Sequence, residues 1–240
     1  MKPRALAAPR PSVDALKRVA YFRTLPAAEL ARLAGRCRQR TLRRGEHAFE
    51  TGDACHGLLV IAEGAVEMRQ VSPRGREQVL HAEGAGATLG EAPLFDGRGY
   101  IASAVAVEST RLVLVPREVV LDLCRRHPAV ALSMLEAMAR RVRSFAGLVE
   151  DLAFRQVTER LARHIEAAAA ASGRPVSVGT VVDLTLTQEQ LAARLGTVRE
   201  LVSRALAQLE RAGAIKRSRA RIVIRDPGRL AEAAQGGAPA

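Results

Sequence analysis

Cysteine and histidine, the residue types that most often carry chemistry, are few and scattered in this 240-residue sequence. The cysteines are odd in number and no pair has CxxC spacing, which argues against a disulfide framework or a zinc knuckle; they are Cys37, Cys55 and Cys124. The histidines form neither an HxH nor an HExxH pattern; they are His47, His56, His81, His127 and His164. The sequence therefore predicts reduced thiols and no metal site.

Catalytic and membrane signals are also missing from the sequence. It has no paired acid and base, nucleophile elbow or P-loop, so we do not expect an enzyme. His81 lies in an apolar, strand-like run and could in principle ligate haem, although such a histidine is more often a satisfied or surface residue. No apolar run approaches the roughly 18 to 20 residues that cross a bilayer, and residues 1–11 resemble no secretory signal. We expect a cytoplasmic protein with no membrane partner.

The chain is strongly basic, with 37 lysines and arginines against 25 acidic residues and a formal net charge of +12. Such a charge is typical of a surface that binds phosphate backbones, although a well-solvated basic surface would have the same composition. Aromatic residues make up only 3% of the chain. Because single-strand binders usually stack bases on aromatic side chains, duplex DNA is favoured over RNA or single strands.

The most informative segment lies near the C-terminus. Thr187–Gln190 is a capping-box pattern that predicts a helix start, and Gly196 predicts its end. Thr197–Glu200 has the form of a second capping box, which predicts another helix. Two short helices joined at a glycine are typical of a helix-turn-helix, and the alternating apolar and basic residues 215–224 predict a two-stranded wing.

The second predicted helix has two unlike faces. We expect its apolar face to be buried; it carries Val198, Val202, Ala205, Leu206 and Leu209. The polar residues at its start would meet base edges, and residues before it and in the wing would hold phosphates. The candidate DNA contacts are Gln188, Thr197, Arg199, Glu200, Ser203, Arg204, Arg217 and Arg219.

The rest of the chain divides into two segments with different patterns of apolar residues and glycines. From residue 40 to 116, short strand-like runs alternate with glycines, which predicts an antiparallel jelly roll or barrel. A long helical pattern begins at Pro128, and a 3-4-3-4-3 apolar spacing indicates a helix-to-helix dimer seam, with packing on its own domain as the alternative. The seam residues are Leu135, Met138, Val142, Phe145, Val149 and Leu152.

These motifs resemble the Crp/Fnr family of bacterial transcription regulators from about residue 19 to 226. Residues 90–95 (GEAPLF) are similar to the opening of the family's effector cassette, residues 156–160 (QVTER) to its hinge, and residues 187–206 to its helix-turn-helix. The resemblance implies an α+β fold with a cyclic-nucleotide-binding-type jelly roll, a long dimerisation helix and a winged helix-turn-helix. The implied segments are a flexible basic arm (1–18), a sensor domain (19–127), the dimerisation helix (128–153), the DNA-binding domain (154–228) and a disordered tail (229–240).

The resemblance also implies a site and partners. The expected partners are a palindromic DNA site with TGA-containing half-sites, a second copy of the chain and RNA polymerase. The candidate effector residues are Gly90, Glu91, Arg98, Ile101 and Ala102. Cyclic-AMP-binding members hold the phosphate with an Arg-Ser pair, whose aligned positions here are Ile101 and Ala102, so cyclic AMP is disfavoured.

The effector is otherwise left open. No cysteine cluster precedes Cys37, so an iron-sulfur cluster is not expected. Residues 100–104 (YIASA) are similar to members that sense nitric oxide or redox state through haem, which leaves a haem-based sensor as an alternative. A ligand-binding regulatory module without DNA activity is the alternative from a different functional class.

Overall fold

The computed structural model describes residues 13–73, 75, 77–171, 176–183, 186–218 and 221–236. They fall into two compact units, the first within Met1–Gln70 and Leu80–Phe145, and the second within Val71–Val79 and Ala146–Ala240. The α+β fold class and the antiparallel sheets are confirmed. Within the described residues, no helix is both long enough and apolar enough to cross a membrane.

The first unit begins with helix α1 (Val13–Lys17), a short 3-10 helix (Ala20–Phe22) and helix α2 (Ala27–Arg36). Leu16 and Phe22 are fully buried in the core of this unit, so the prediction of a flexible arm over residues 1–18 is wrong for residues 13–18. The reason is apolar burial, since a helix this short is held by packing rather than by its own hydrogen bonds. Residues 1–12 lie outside the described residues.

The predicted jelly roll is confirmed as two antiparallel four-stranded sheets. Its strands are β1 (Arg38–Leu42), β2 (His47–Phe49), β3 (Gly57–Glu63), β4 (Ala65–Val71), β5 (Glu77–Gly84), β6 (Thr88–Leu89), β7 (Ser103–Ala106) and β8 (Thr110–Pro116). The sheet orders are β1-β8-β3-β6 and β2-β7-β4-β5. Strand β3 is buried at six consecutive positions, which explains its continuous apolar sequence.

Three helices complete the described part of the first unit. Helix α3 (Glu91–Asp96) interrupts the strands between β6 and β7. Helix α4 (Arg117–Arg126) leads into the long helix α5 (Pro128–Phe154), of which residues 128–145 belong to this unit. Val130 and Met134 bury the start of α5 in the same core as α1 and α2. The predicted long helix from Pro128 is therefore confirmed.

The second unit is a helical domain with a small sheet. After the end of α5 come α6 (Val157–Ala170), β9 (Val181–Asp183), α7 (Gln188–Leu195), α8 (Arg199–Arg211), β10 (Ile215–Ser218), β11 (Arg221–Ile224) and α9 (Pro227–Ala234). Strands β10 and β11 form the predicted hairpin, and β9 extends it to a sheet of order β10-β11-β9. One apolar core joins these elements through residues such as Leu161, Leu206 and Ile222.

The predicted disordered tail over residues 229–240 is wrong for residues 229–234, which belong to helix α9. Asp226 caps this helix by accepting a hydrogen bond from the Arg229 backbone N–H, and Pro227 occupies its first turn. Leu230, Ala233 and Ala234 are buried against the core of the second unit. Residues 237–240 lie outside the described residues.

Candidate functional site

Helix α7 and the turn after it follow local sequence rules closely. The Thr187 hydroxyl accepts from the Gln190 backbone N–H at 3.2 Å, and the Gln190 side chain accepts from the Thr187 N–H at 2.9 Å. The predicted first capping box is therefore confirmed. Gly196 ends α7 with a φ of +65°, and a Cβ there would collide with Leu152 and Gln78. Glycine is thus favoured by the left-handed backbone conformation, and a larger residue would also displace the ends of these two flexible side chains.

Helix α8 does not begin as the sequence predicts. Its N-cap is Val198, which has no side-chain capping bond, and the helix starts at Arg199. The predicted second capping box at Thr197–Glu200 is therefore wrong. Thr197 is buried, whereas Glu200 is exposed, so their side chains are in different surroundings. Packing in the core of the second unit has overridden the local capping pattern, and it removes Thr197 from the readily accessible surface.

The start of α8 presents charges that the described part of the chain leaves unpaired. The side chains of Arg199, Glu200 and Arg204 are exposed and make no hydrogen bond or ion pair with any described residue. Ser203 is half-buried beside them. The opposite face is buried through Val202, Ala205, Leu206 and Leu209, as predicted, while Val198 is half-buried. A helix anchored on one face holds its other face ready for a ligand of complementary charge.

The residues predicted to contact phosphates differ in the exposure of their side chains and in whether the protein already binds them. Gln188 is the first residue of α7 and is half-buried. Arg217 in strand β10 is exposed, but its Nε donates to Glu210 at 2.7 Å and its backbone N–H donates to the same carboxylate at 2.9 Å. These bonds lower the pKa of Glu210. Glu210 therefore already holds one donor of the Arg217 guanidinium and leaves its Nη donors for a phosphate, and Arg219 lies outside the described residues.

The first unit contains a cavity of about 220 Å³ between the jelly roll and the first half of α5. Its wall is mainly apolar and includes Phe49, Met68, Leu80, Leu89, Met138 and Phe145. The predicted effector residues Gly90, Glu91, Ile101 and Ala102 line it as well. Arg98, which could have replaced the missing phosphate-holding arginine, is exposed and is not part of this wall.

A buried charge network closes one side of the cavity. Glu91 is 1% exposed and accepts from the Arg141 guanidinium at 2.8 Å and from the Tyr21 hydroxyl at 3.0 Å. Arg141 also donates to Glu83 at 3.0 Å and to the Thr88 carbonyl at 3.2 Å. Burial alone would lower the pKa of Arg141, but the attraction and hydrogen bonds of the two carboxylates outweigh it and raise that pKa. One guanidinium is thus shared by two carboxylates.

His81 on strand β5 is the polar group of the cavity wall that the protein leaves unsatisfied. Both ring nitrogens are buried and have no hydrogen-bond partner among the described residues. The nearest carboxylate oxygen of Glu83 lies 3.7 Å from Nε2, beyond hydrogen-bond distance. Burial lowers the pKa of His81, as does the charge of Arg141, while Glu83 and Glu91 oppose the shift. The imidazole is therefore held neutral at pH 7.

Haem does not fit this cavity as it stands. Cofactor and ligand pockets usually have volumes of about 300–1,000 Å³, and this one has about 220 Å³. His81 could offer an iron ligand, but Arg141 is held by Glu83 and Glu91, whose carboxylates would repel the haem propionates.

The six predicted seam residues of α5 divide into two groups. Leu135 and Val142 in the first unit are 61% and 66% exposed, and Val149 in the second unit is 64% exposed. Leu152 is also exposed. Met138 and Phe145 are half-buried and line the cavity of their own protomer, where the Phe145 ring lies 5.7 Å from that of His81.

Sequence reasoning missed Arg141 and the place of Phe145 in the cavity. Arg141 is one of many arginines on a helix, so nothing in its local sequence distinguished it. Phe145 fitted the heptad spacing, which indicates an inward face but not what the face packs against.

Comparison with known proteins matches residues 39–127 to the cyclic nucleotide-binding domain and residues 159–233 to the Crp-like helix-turn-helix domain. A CRP-like cAMP-activated global transcriptional regulator of Mycobacterium tuberculosis (strain H37Rv) is 28% identical over 92% of this chain and 99% of its own length. The cyclic AMP receptor protein of Thermus thermophilus is 32% identical over 80% of this chain and 86% of its own length.

A solved Crp/Fnr-family structure from Eubacterium rectale has the same fold, with a TM-score of 0.75, 22% identity, and coverage of 91% of this chain and 99% of that one. The two matched domains, the long helix that follows the first of them in sequence, and the relatives all agree with the resemblance found in the sequence. This chain belongs to the Crp/Fnr family of transcription regulators.

Proposed function

We propose that this regulator acts as a homodimer that reads a palindromic DNA site with helix α8 of each protomer, under the control of an effector in the jelly-roll cavity. One observation carries the proposal: Arg199, Glu200 and Arg204 are exposed and unpaired among the described residues, at the start of a helix whose other face is buried. A helix N-terminus with free hydrogen-bonding side chains is suited to the major groove.

Base readout in this proposal is divided between two charges. The planar Arg204 guanidinium can donate two hydrogen bonds to guanine O6 and N7, and the Glu200 carboxylate can accept from a cytosine N4 amine. A carboxylate near DNA is repelled by phosphates. An exposed Glu200 on this face of α8 would therefore weaken DNA binding unless it made a specific base contact, so its presence favours such a contact. With the family resemblance, this gives a TGA-containing half-site, with Arg199 and Ser203 tuning the flanking bases.

Phosphate contacts fix the register of the domain on DNA. We assign them to Gln188 at the start of α7 and to the wing cations Arg217 and Arg219. RNA polymerase is the further partner that the family membership implies.

Dimerisation would bury the apolar positions of α5 that the protomer leaves exposed. Leu135, Val142 and Val149 keep more than half of their surface accessible in the single chain. Large apolar side chains at heptad positions on a long helix are stabilised by pairing with a second helix. Two-fold symmetry then places the half-site centres about one helical turn, roughly 34 Å, apart.

Cyclic AMP is not the effector in this proposal, although the Mycobacterium tuberculosis relative is named as cAMP-activated. The side chains of Ile101 and Ala102 have neither a donor nor a charge for a phosphate, and Arg98 is not in the cavity wall. The one cation of the described wall, Arg141, is already bound by Glu83 and Glu91. Calorimetric titration of the full chain should detect no cyclic AMP site at micromolar concentrations.

Selection of binding sites from random duplex DNA by the full-length protein tests the proposed function. We expect a palindromic motif with TGA-containing half-sites whose centres are about 10 base pairs apart. Protein that selects no motif and shows no salt-dependent binding would instead be a regulatory module without DNA activity. A haem-based sensor would show a Soret band in the same preparation, contrary to our expectation.

A further inference from the structure

The jelly-roll cavity is suited to a different ligand chemistry from that of the domain family it belongs to. Residues 39–127 match the cyclic nucleotide-binding domain, yet the cavity within this segment and α5 is lined mainly by aliphatic, thioether and aromatic side chains. Among them, Phe49 and Tyr100 both line the cavity and stack on each other with ring centroids 3.5 Å apart. Such a wall stabilises a ligand by burying apolar area rather than by pairing charge.

The charges at the cavity edge exclude an anion. Arg141 donates to both Glu91 and Glu83, so the local balance is two carboxylates against one guanidinium. A phosphate or carboxylate ligand would have to displace a buried carboxylate from its partner and leave that carboxylate unpaired, which is strongly unfavourable. A cation would lose its hydration against an apolar wall. An uncharged ligand meets neither penalty.

The volume of the cavity and one polar side chain of its wall, His81, restrict the class of ligand further. The cavity of about 220 Å³ exceeds the roughly 150 Å³ apolar cavity that is known to take benzene. His81 lines this volume with two buried nitrogens that have no hydrogen-bond partner among the described residues. Since buried polar groups in proteins are nearly always hydrogen-bonded, a ligand with a matching donor or acceptor would satisfy one of them.

We propose that the cavity binds a compact, uncharged, mainly apolar molecule of about bicyclic aromatic size, whose polar atom hydrogen-bonds to the His81 imidazole. This inference rests on the proposed function, because it names the chemical class of the effector. The same ligand would touch Met138, Val142 and Phe145 on α5. Occupancy can therefore favour one position of this helix, to the extent that the ligand binds that state better.

Indole and indene are suitable probes, because they have nearly the same shape and only indole has an N–H donor. We would titrate each into the full-length protein by calorimetry. Indole should bind at one site per protomer, more tightly than indene, while cyclic AMP gives no heat. His81→Phe should weaken indole binding about fivefold and leave indene binding within twofold, because only indole loses a hydrogen bond. The exposed His56→Phe should change neither.

A second variant tests the location of the site. Ala102 is buried in the cavity wall, and Ala102→Leu should reduce the binding of both probes at least tenfold by filling the cavity. Each variant is checked for a cooperative thermal unfolding transition like that of the wild type, which reports folding independently of the effector. The inference is overturned if neither probe binds the wild type, if cyclic AMP binds more tightly than indole, or if both variants leave probe binding unchanged. Loss of DNA binding by the wild type would refute the proposed function instead.

Discussion

The two units of this regulator leave opposite kinds of surface without a partner. In the first unit, the charges beside the cavity are paired internally, as Arg141 is with Glu91 and Glu83, and what remains open is an apolar cavity. In the second unit, the apolar face of α8 is buried in the core, and what remains open at this helix is the charge at its start. Under the proposed function, one chain would recognise two ligands by different physics: area burial in one unit and directed hydrogen bonds in the other.

Helix α5 supplies residues to both units. Among the tests of this comparison, a charged substitution at one of its exposed apolar positions should have the largest effect. Val149 is 64% exposed and lies outside the cavity wall, so Val149→Glu should affect dimerisation without disturbing the cavity. If Val149 is buried in a dimer, an unpaired carboxylate there should destabilise the dimer by roughly 3–5 kcal/mol. Sedimentation at low micromolar concentration should then show a monomer.

A matched control on the same helix is Ser144→Glu, which adds the same charge at an exposed polar position away from the predicted seam. It should remain a dimer. Phe145 is a poor choice for this test, because it also lines the cavity and contacts His81. A dimeric Val149→Glu protein would show that the subunits pair elsewhere.

The unpaired charges of the second unit are tested by Arg204→Ala. This change should cost about 1–3 kcal/mol per half-site and relax the preference for guanine at one position of each. The control is Arg211→Ala, on the exposed surface at the other end of α8. Site selection with both variants separates the roles: if Arg204→Ala weakens binding but selects the same motif, Arg204 contacts the DNA backbone and not a base.

Some of these features could be predicted from sequence because they depend on neighbouring residues. The capping box of Thr187 and Gln190 is such a case, and so are the glycine at 196 and the wing hairpin. Thr197 shows the limit, because tertiary burial overrode an equally clear local pattern. The signal for helix α9 was present in Asp226 and Pro227, but the alanine- and glycine-rich sequence after them favoured a tail.

The cavity could not be predicted in this way, since its wall combines residues from β4, β5, α3 and α5 that are distant in sequence. The aligned motif positions indicated that the phosphate-holding Arg-Ser pair is missing, because Ile101 and Ala102 stand in its place. They did not indicate that Arg141 is held by two carboxylates or that His81 has no partner, because both facts depend on long-range packing.

Substitution in the wing should have a smaller effect on DNA binding than substitution in α8, because the wing cation Arg217 is already paired within the second unit. Arg217 is bound to Glu210, so Arg217→Ala should weaken binding to all DNA sequences alike, and by less than Arg204→Ala. The salt dependence should become shallower by about one unit of slope or less per protomer. Glu210→Gln should act in the opposite direction by releasing Arg217 for phosphate. A change in the selected motif with either variant would contradict a phosphate role.

The smallest effect concerns His81, where the first unit leaves a titratable group unsatisfied. Burial lowers its pKa in the folded protein below the value of 6.5 for a free histidine, with Arg141 adding to the shift and Glu83 and Glu91 opposing it. The unfolded chain therefore binds a proton more readily than the folded protein does. Stability from this group is complete above about pH 6.5 and is lost as the pH falls through the unfolded pKa towards the folded one.

His81→Phe removes this contribution while keeping an aromatic ring of similar shape. Between pH 7 and pH 5, the wild type should lose stability relative to His81→Phe by at most about 2 kcal/mol, the limit for a histidine that takes up its proton only in the unfolded chain, or about 4–8 °C in Tm for a chain of this size. The exposed His47→Gln is the control and should follow the wild type. His164, whose pKa is also lowered by burial, stays in all three proteins, so its contribution cancels in the difference. Parallel profiles of Tm against pH for wild type and His81→Phe would mean that His81 has a polar partner or is open to solvent. His81 would then not be a buried group without a partner, which contradicts the surroundings of His81 in the first unit.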